Sequence, residues 1–502
     1  MLEKVLVANR GEIALRVVRG LHDLGITSVA IYSEVDRLSR HVRYADEAYL
    51  IGPPVAAESY LNAERIIDVA TACGADAIHP GYGFLAENSA FAEACEEAGL
   101  TFIGPSAAAM RLLGDKNAAR SLAASVGVPV VPGTDPLESL DDAPRLAEEI
   151  GYPIAIKAAA GGGGRGIRFV EREEELPRAL ELARREAIAA FKDGSLYLEK
   201  QMQNVRHIEV QVIADTFGNV IPLGERECSI QRRHQKIIEE TPSVAVGPEL
   251  RRALNRAAVR ITRAAGYRSA GTVEFLLTPG GDYYFLEVNA RLQVEHPVTE
   301  MTTGVDLVKD QILVASGEEL AYDESDLLTR GWAIECRIVA EDPQNNFLPS
   351  VGRVVFSREP AGPGIRVESA LHDGYEVTRF YDSLLAKVTA WGSDREDARA
   401  RMLRALRESR VVGVATNIPF LLEILNMPEF VEGSLDTDFL DRHEVIAEQS
   451  EEPLREAAAI AALLTLTGEG RSSASLAPAG TPARGVSAWR QQQAMGRWPK
   501  SI

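Results

Sequence analysis

The chain has 502 residues, 46% hydrophobic and 25% charged, an ordinary composition for a soluble protein of two to four domains. Its net charge of −19 argues against a general nucleic-acid or anionic-membrane partner, so anionic substrates would require basic groups gathered into one local site. The four cysteines (Cys73, Cys95, Cys228 and Cys336) are far apart with no Cys-x-x-Cys pair, which argues against a zinc site or disulfide framework and fits a reducing cytoplasm. The start, MLEKVLVANRG, lacks the apolar region of a signal peptide, and no run approaches the roughly 18 apolar residues of a membrane span.

Residues 1–115 alternate strand-like and helical runs. VLVA (5–8) is a predicted strand, Glu12 to Leu24 a helix and VAIYS (29–33) a second strand. Ile66, Val69, Ala70 and Cys73 then recur at the spacing of one helix face. AIHPG (77–81) and TFIGP (101–105) are further strands ending in turn residues, and this βαβα rhythm predicts a parallel sheet covered by helices. GVPVVPGTD (127–135) has the composition of a linker. After it come a helix (141–150), a strand (153–158), a glycine loop, a strand (167–170), another helix and the strand LYLEK (196–200). From 205, HIEVQVI, TVEFLL and YYFLEVN indicate a larger α+β domain reaching about 447. The remainder opens on an apolar helix candidate (454–466) and turns Ala/Ser/Gly/Pro-rich, as expected of a flexible or partner-docking tail.

The loop KAAAGGGGRGIR (157–168) contains Gly161, Gly163 and Gly166 at G-x-G-x-x-G spacing. A dinucleotide fold needs a helix after those glycines, and IRFV reads instead as a strand. No G-K-[S/T] closes the loop, and the chain has no His-Arg-Asp or Asp-Phe-Gly of a protein kinase. The pattern predicts a hairpin flap whose bare amides close over phosphates, with Lys157 adding charge from the entering strand. The bland alternative is a surface hairpin without a ligand.

In TVEFLLTPGGDYYFLEVNARLQVEHP (272–297), a two-residue turn centred on Gly280-Gly281 makes Pro279 face Asp282. Counting outward puts Glu274 opposite Glu287, with Asn289 on the face of Glu287. Opposed carboxylates destabilise a sheet unless a cation lies between them, and hard oxygen ligands suit Mg²⁺ with nucleotide phosphates. Two solvated acids on a wet sheet face are the alternative, and a slip of one residue would undo the pairing. Further along, Arg291, Gln293 and Glu295 recur at period 2 and share a face if the segment is extended, placing an anion clamp beside a proton acceptor.

Together these segments resemble the biotin carboxylases of the ATP-grasp superfamily. The matching strings are VANRGEIALRV (7–17), HPGYGFLAEN (79–88), GDKNAAR (114–120), the glycine loop, ERECSIQRRHQKIIEE (225–240), FLEVNARLQVEHPVTE (285–300) and RFYDSLLAK (379–387). The resemblance implies an ATP-grasp fold of mixed α/β and α+β class: a parallel-sheet domain (1–115), a flap domain (130–203) and a catalytic domain (204–447), followed by an extension (448–502). It implies that bicarbonate attacks the γ-phosphate of ATP to give carboxyphosphate, and that the biotin ureido nitrogen is then carboxylated, as the first half of an acetyl-CoA or related acyl-CoA carboxylation.

The same resemblance assigns roles. Lys116, Lys157, Gly163 and Gly164 would contact phosphates. Glu199, Lys200 and Met202 would fall on the strand that meets adenine, with His207, Gln231 and His234 on the ribose side. Glu274, Glu287 and Asn289 would hold Mg²⁺ or Mn²⁺. Lys236, Arg291, Gln293 and Val294 would form the bicarbonate pocket, with Glu295 as base and Arg337 stabilising the biotin enolate. Tyr82 would lie near biotin. Ala160 stands where the family commonly has glycine, and Met202 where it has leucine. Gln493-Ala494-Met495-Gly496 lacks the lysine of a biotin attachment site, so the carrier protein is expected to be a separate chain, with carboxyltransferase subunits and a homodimer as further partners. Cys228 reads as a buried inert thiol, and QRRHQK as a small-polyanion site. Another bicarbonate-activating ATP-grasp ligase and a non-catalytic nucleotide-binding scaffold are the competing readings.

Overall fold

A computed structural model describes residues 1–159, 167–191 and 193–443. Gly163, Gly164 and the expected extension from 448 lie outside the described residues.

The first layer is a parallel sheet of β1 (Lys4–Val7), β2 (Thr27–Ser33), β3 (Glu47–Gly52), β4 (Ala77–His79) and β5 (Thr101–Phe102), in the order β3-β2-β1-β4-β5. Its central strand buries Val5, Leu6 and Val7 completely, as expected where helices cover both faces. The helices α1 (Gly11–Asp23) and α2 (Ala63–Cys73) carry the predicted apolar faces, and Ile66, Val69 and Ala70 are buried. Two strands give way to non-strand residues at their C-terminal ends, as the sequence predicts. Pro80 and Gly81 belong to a turn, and the strand at 101 ends at Phe102. Strand β3 is unannounced in the sequence, because its edge position leaves Tyr49 and Leu50 exposed and hides any apolar alternation.

The turn after β4 positions a site residue. Asn9 donates from Nδ2 to the carbonyls of Pro80 and Tyr82 at 2.7 and 2.8 Å. Gly81 has φ +62°, and a side chain there would meet the Asn9 amide at 3.0 Å. Tyr82 is thereby presented at the C-terminal ends of β1 and β4.

The second sheet is antiparallel: β6 (Ile154–Ala158), β7 (Ile167–Val170) and β8 (Leu196–Lys200), in the order β7-β6-β8. The strands flanking the glycine loop pair with Lys157 opposite Ile167, as a hairpin requires. The expected linker is strapped down rather than free. Phe285 donates to the Pro129 carbonyl at 2.7 Å, Lys200 to the Pro132 carbonyl at 2.8 Å, and Thr134 to the Leu198 carbonyl at 2.8 Å.

The third sheet has eight antiparallel strands. They are β9 (Arg206–Ala214), β10 (Val220–Arg232), β11 (Gln235–Thr241), β12 (Ser269–Leu277), β13 (Tyr283–Asn289), β14 (Trp332–Val339), β15 (Ile365–Ser369) and β16 (Leu384–Gly392). The order is β13-β12-β9-β10-β11-β14-β16-β15. Helix α3 (Pro248–Ala264) covers one side, and α4 (His296–Thr303) and α5 (Leu307–Ala315) follow β13.

The β12–β13 hairpin corrects the predicted turn. Leu277 faces Tyr283, and Thr278 donates to the Asp282 carbonyl at 2.8 Å, so the connection is longer than two residues and Pro279 does not face Asp282 in the ladder. One extra residue, Leu286, then bulges from β13 and restores the predicted pairing of Glu274 with Glu287. The acid pair falls where predicted because two one-residue offsets cancel.

Candidate active site

The antiparallel ladder brings side chains from six strands to one face. At its centre the Lys236 ammonium touches Glu209 Oε2 at 2.6 Å, Glu295 Oε1 at 2.8 Å and Glu274 Oε1 at 2.9 Å. Three N–H donors meet three carboxylates, so the ammonium is fully used. Burial opposes its charge, but Glu209, Glu274 and Glu295 outweigh that and hold Lys236 protonated well above the usual lysine range.

Glu295 is fully buried and stands at the N-terminal end of α4. Its other oxygen accepts from Arg337 Nη2 at 2.9 Å, and Arg337 Nε donates to Glu239 Oε1 at 2.6 Å. Burial alone would raise the Glu295 carboxyl. Lys236, Arg337 and Arg226 reverse this and hold it well below the usual carboxylate range. It is ionised and therefore able to accept a proton, but with both cations attached it is a weak base. A substrate anion that draws either cation toward itself strengthens it.

Glu274 is buried and Glu287, directly across the ladder, is 39% exposed. Asn289 Nδ2 donates to Glu274 Oε1 at 2.8 Å, and Lys116 Nζ lies 3.6 Å from Glu287. This oxygen donor set, with one solvent-facing carboxylate, fits a hard divalent cation that keeps waters and phosphate oxygens in its shell. A second cluster, His207, Glu209 and Glu274, brings ligand atoms within 4.8 Å of one another, and Lys236 bonds both of its acids. His207 Nε2 is 3.0 Å from Glu274; burial disfavours its protonation, yet Glu274 outweighs that and raises its pKa.

The remaining predicted residues are distributed as follows. Lys157 pairs with Glu199, and Lys200 donates to the carbonyls of Gly151 and Tyr152 at 2.9 and 2.8 Å. Met202 lies just past β8 rather than on it. Gln231 Nε2 meets His207 Nδ1 at 2.9 Å, while His234 is exposed at the tip of the β10–β11 hairpin with φ +64°. Tyr82 bonds through its hydroxyl to Glu12, and the Val294 carbonyl accepts from Lys387 Nζ at 2.7 Å. Gln293 Nε2 reaches Glu274 at 3.4 Å. Cys228 is fully buried, 3.9 Å from Glu295, and desolvation pushes its thiol well up, consistent with an inert thiol.

The expected Arg291–Glu295 clamp does not form as predicted. Strand β13 ends at Asn289, and the chain bends into α4, so period 2 no longer puts the two on one face. Arg291 instead binds Glu87 at 2.9 Å, Asn289 at 3.0 Å and Gln293 at 3.1 Å. The cations against Glu295 come from β11 and β14.

Sequence reasoning overlooks Arg226, Glu209, Glu239, Glu335, Lys387 and Glu12. Arg226 is completely buried and donates to Gln211 at 2.6 Å and Thr299 at 3.0 Å besides Glu209. Charged residues inside otherwise apolar strand runs, such as Glu335 two before Arg337 and Lys387 in SLLAKVTA, are the available signal.

Comparison with known proteins shows the family and the fold. Residues 1–110 match the model of the biotin carboxylase N-terminal domain, 115–323 that of the carbamoyl-phosphate synthase L chain ATP-binding domain, and 335–442 that of the biotin carboxylase C-terminal domain. The fold is that of the ATP-grasp ligases. The chain is 51% identical to "Biotin carboxylase 1" of Bacillus subtilis over 448 residues, 89% of this chain and 100% of that protein. The biotin carboxylase domain dimer of Hydrogenobacter thermophilus 2-oxoglutarate carboxylase, solved with MgADP, ADP and bicarbonate, superposes with a TM-score of 0.85 at 52% identity, covering 90% of this chain and all of that one. The Campylobacter jejuni biotin carboxylase–β,γ-ATP complex gives 0.85 at 47% identity, covering 88% and 99%. The chain belongs to the biotin carboxylase family.

Proposed function

We propose that this protein is an ATP- and bicarbonate-dependent biotin carboxylase acting on the biotin of a separate carrier protein. The observation that carries the reading is a buried carboxylate, Glu295, held between Lys236 at 2.8 Å and Arg337 at 2.9 Å, beside the opposed Glu274 and Glu287. Bicarbonate enters between the cations, its charge drawing Lys236 and Arg337 off Glu295, and Glu295 takes its proton. A bicarbonate oxygen then attacks the γ-phosphorus, the bond to the β-phosphate oxygen breaks and ADP leaves. Carboxyphosphate then breaks its C–O bond to phosphate, that phosphate takes the N–H proton of the biotin ureido nitrogen while Arg337 stabilises the enolate-like oxygen, and the nitrogen forms the new bond to the carboxyl carbon.

Lys116 and Lys157 bind the phosphates, and Gly163 and Gly164 belong to the same phosphate-binding set. Glu199, Lys200 and Met202 meet adenine, and His207, Gln231 and His234 the ribose side. Glu274, Glu287 and Asn289 would hold Mg²⁺ or Mn²⁺, which when bound neutralises phosphate charge. Arg291, Gln293 and Val294 complete the bicarbonate pocket, with Tyr82 near biotin. The three sheets support the division into 1–115, 130–203 and 204–447. A homodimer, carboxyltransferase partners, an acyl-CoA as final acceptor and a cytoplasmic location belong to the same reading. Relatives named as carboxylases of pyruvate and of 2-oxoglutarate fit a final acceptor chosen by a separate polypeptide. Among the described residues no helix is long and apolar enough to cross a membrane.

The test is ADP release with Mg-ATP and bicarbonate, with and without free biotin. Biotin-stimulated release that needs bicarbonate and falls about 10²- to 10⁴-fold in Glu295→Ala is expected. Release stimulated by a carbamate or purine-pathway substrate in place of biotin would overturn the assignment.

A further inference from the structure

Behind Arg337 lies a pair of acids that the reaction above does not use. Glu239 on β11 and Glu335 on β14 are directly opposed in the antiparallel ladder, and both are 0% exposed. Directly opposed residues have Cβ atoms about 4.5–5.5 Å apart, and two carboxylates at that separation repel. Of the two acids, Glu239 alone bonds the guanidinium of Arg337, through Oε1, and that guanidinium also bonds Glu295. Among the described residues Glu335 has a single hydrogen bond, accepted at Oε2 from Thr389 Oγ1 at 2.8 Å. Among the described residues each acid keeps one buried oxygen without a partner: Glu239 Oε2 and Glu335 Oε1. Two unpartnered oxygens on facing carboxyls leave room for one bond, and that bond needs a proton.

We propose that Glu239 and Glu335 share a single proton, and that this hydrogen-bonded acid–carboxylate pair is the positioning element that aims Arg337 at Glu295. The pair keeps one negative charge, which Arg337 matches. Both acids are pushed up from the ordinary glutamate range, first by burial and then by neighbouring carboxylates, against the opposing pull of Arg337 on Glu239 and of Lys387 on Glu335. The groups that face the pair are Arg337 beside Glu335 on β14, Glu295 from the turn before α4, Lys387 and Thr389 on β16, and the thiols of Cys228 on β10 and Cys336 on β14, both raised by burial. Loss of the shared proton leaves two facing carboxylates competing for one guanidinium. Arg337 is then held by the pair and withheld from the bicarbonate and the biotin oxygen it serves, and biotin carboxylation declines at alkaline pH.

This consequence for turnover rests on the biotin carboxylase reading, whereas the shared proton is measurable without turnover. The first measurement is the infrared difference spectrum of the full-length protein and Glu335→Gln at neutral pH. A protonated-carboxyl C=O stretch present in the parent and absent from the variant is expected. Its absence from the parent would mean two ionised acids bridged by water, and would overturn the proposal. The second is the pH profile of biotin-dependent kcat/KM. Glu335→Gln keeps a neutral donor to Glu239, and its alkaline limb should move up by about one pH unit. Glu335→Ala should lower kcat more than the KM for ATP. An unmoved alkaline limb in Glu335→Gln would show that the pair does not position Arg337. Circular dichroism and the melting temperature of each variant separate these results from simple unfolding.

Discussion

The parallel sheet near the N-terminus and the eight-stranded antiparallel sheet treat polar residues in opposite ways. The parallel sheet is lined by Val5, Leu6, Val7, Val29, Ile31 and Ile78, all without exposed surface. One buried polar cluster there gathers Arg10 and Tyr60 around Asp36, with His41 close by. The antiparallel sheet buries Glu209, Arg226, Glu239, Glu295, Glu335 and Lys387, each at 0% exposure. Desolvating such charges costs several kcal/mol per ion, so they add little to folding unless every charge is matched. One region uses burial to hold the chain together. The other tolerates its cost because anionic substrates need dry, fixed cations inside a chain of net charge −19.

The largest effect should come from breaking the match at the centre of the antiparallel face. Lys236→Met leaves Glu209, Glu274 and Glu295 without their shared ammonium. Biotin-dependent kcat/KM should fall by about 10²- to 10³-fold. Stability should fall by about 3–5 kcal/mol, because removing one partner strands buried charge. Steady-state ADP release and denaturant unfolding check the two parts. A variant that unfolds like the parent would mean that the three acids take up protons to compensate, and the contrast between the sheets would be weaker than drawn.

The parallel sheet should respond to pH rather than to loss of a cation. His41 is fully buried, with Nε2 3.3 Å from the Ile31 carbonyl and Nδ1 unpartnered. Burial, aided by Arg10, lowers its pKa from 6.5 to about 4, against the pull of Asp36. Between those values the unfolded chain binds a proton that the folded one refuses. Stability is therefore complete above pH 6.5 and falls as pH drops toward 4, by about 3 kcal/mol for the whole shift. Urea unfolding across that window should show a slope that flattens in His41→Gln, and an equal slope in both proteins would remove His41 as its source.

The two regions are unequally legible in the sequence, for physical reasons. Apolar runs with helical or strand spacing suffice for β1, β2, β4 and the helices between them, since burial on both faces writes itself directly into composition. The chemistry of the antiparallel face is legible where it occurs in compact strings, as for Glu274, Glu287, Lys236 and Glu295. It is not legible where partners come from distant strands. Nothing local says that Arg337 and Lys236, 101 positions apart in the numbering, grip one carboxylate. Nor can local reasoning foresee the bulge at Leu286, because the energy of an extra residue depends on the strand it pairs with. The direct Arg291–Glu295 contact is misjudged for a related reason: period 2 holds only while the strand continues, and the strand ends at Asn289.

Outside both sheets the same charge chemistry should count for almost nothing, and this gives the finest test of the comparison. Arg145 and Glu149 form an i,i+4 pair at 2.6 Å on a surface helix, with side chains 62% and 60% exposed. Water already solvates both charges and salt screens them, so the Coulomb gain is nearly cancelled by the cost of ordering two long side chains. Arg145→Ala should change stability by no more than about 0.5 kcal/mol and leave turnover unchanged, with the small effect vanishing in high salt. The Arg337–Glu295 contact, at 2.9 Å, is no shorter than this surface pair. If Arg145→Ala proved as damaging as a substitution at Arg337, contact distance rather than burial would govern the energetics, and the functional weight given to the antiparallel face would lose its physical basis.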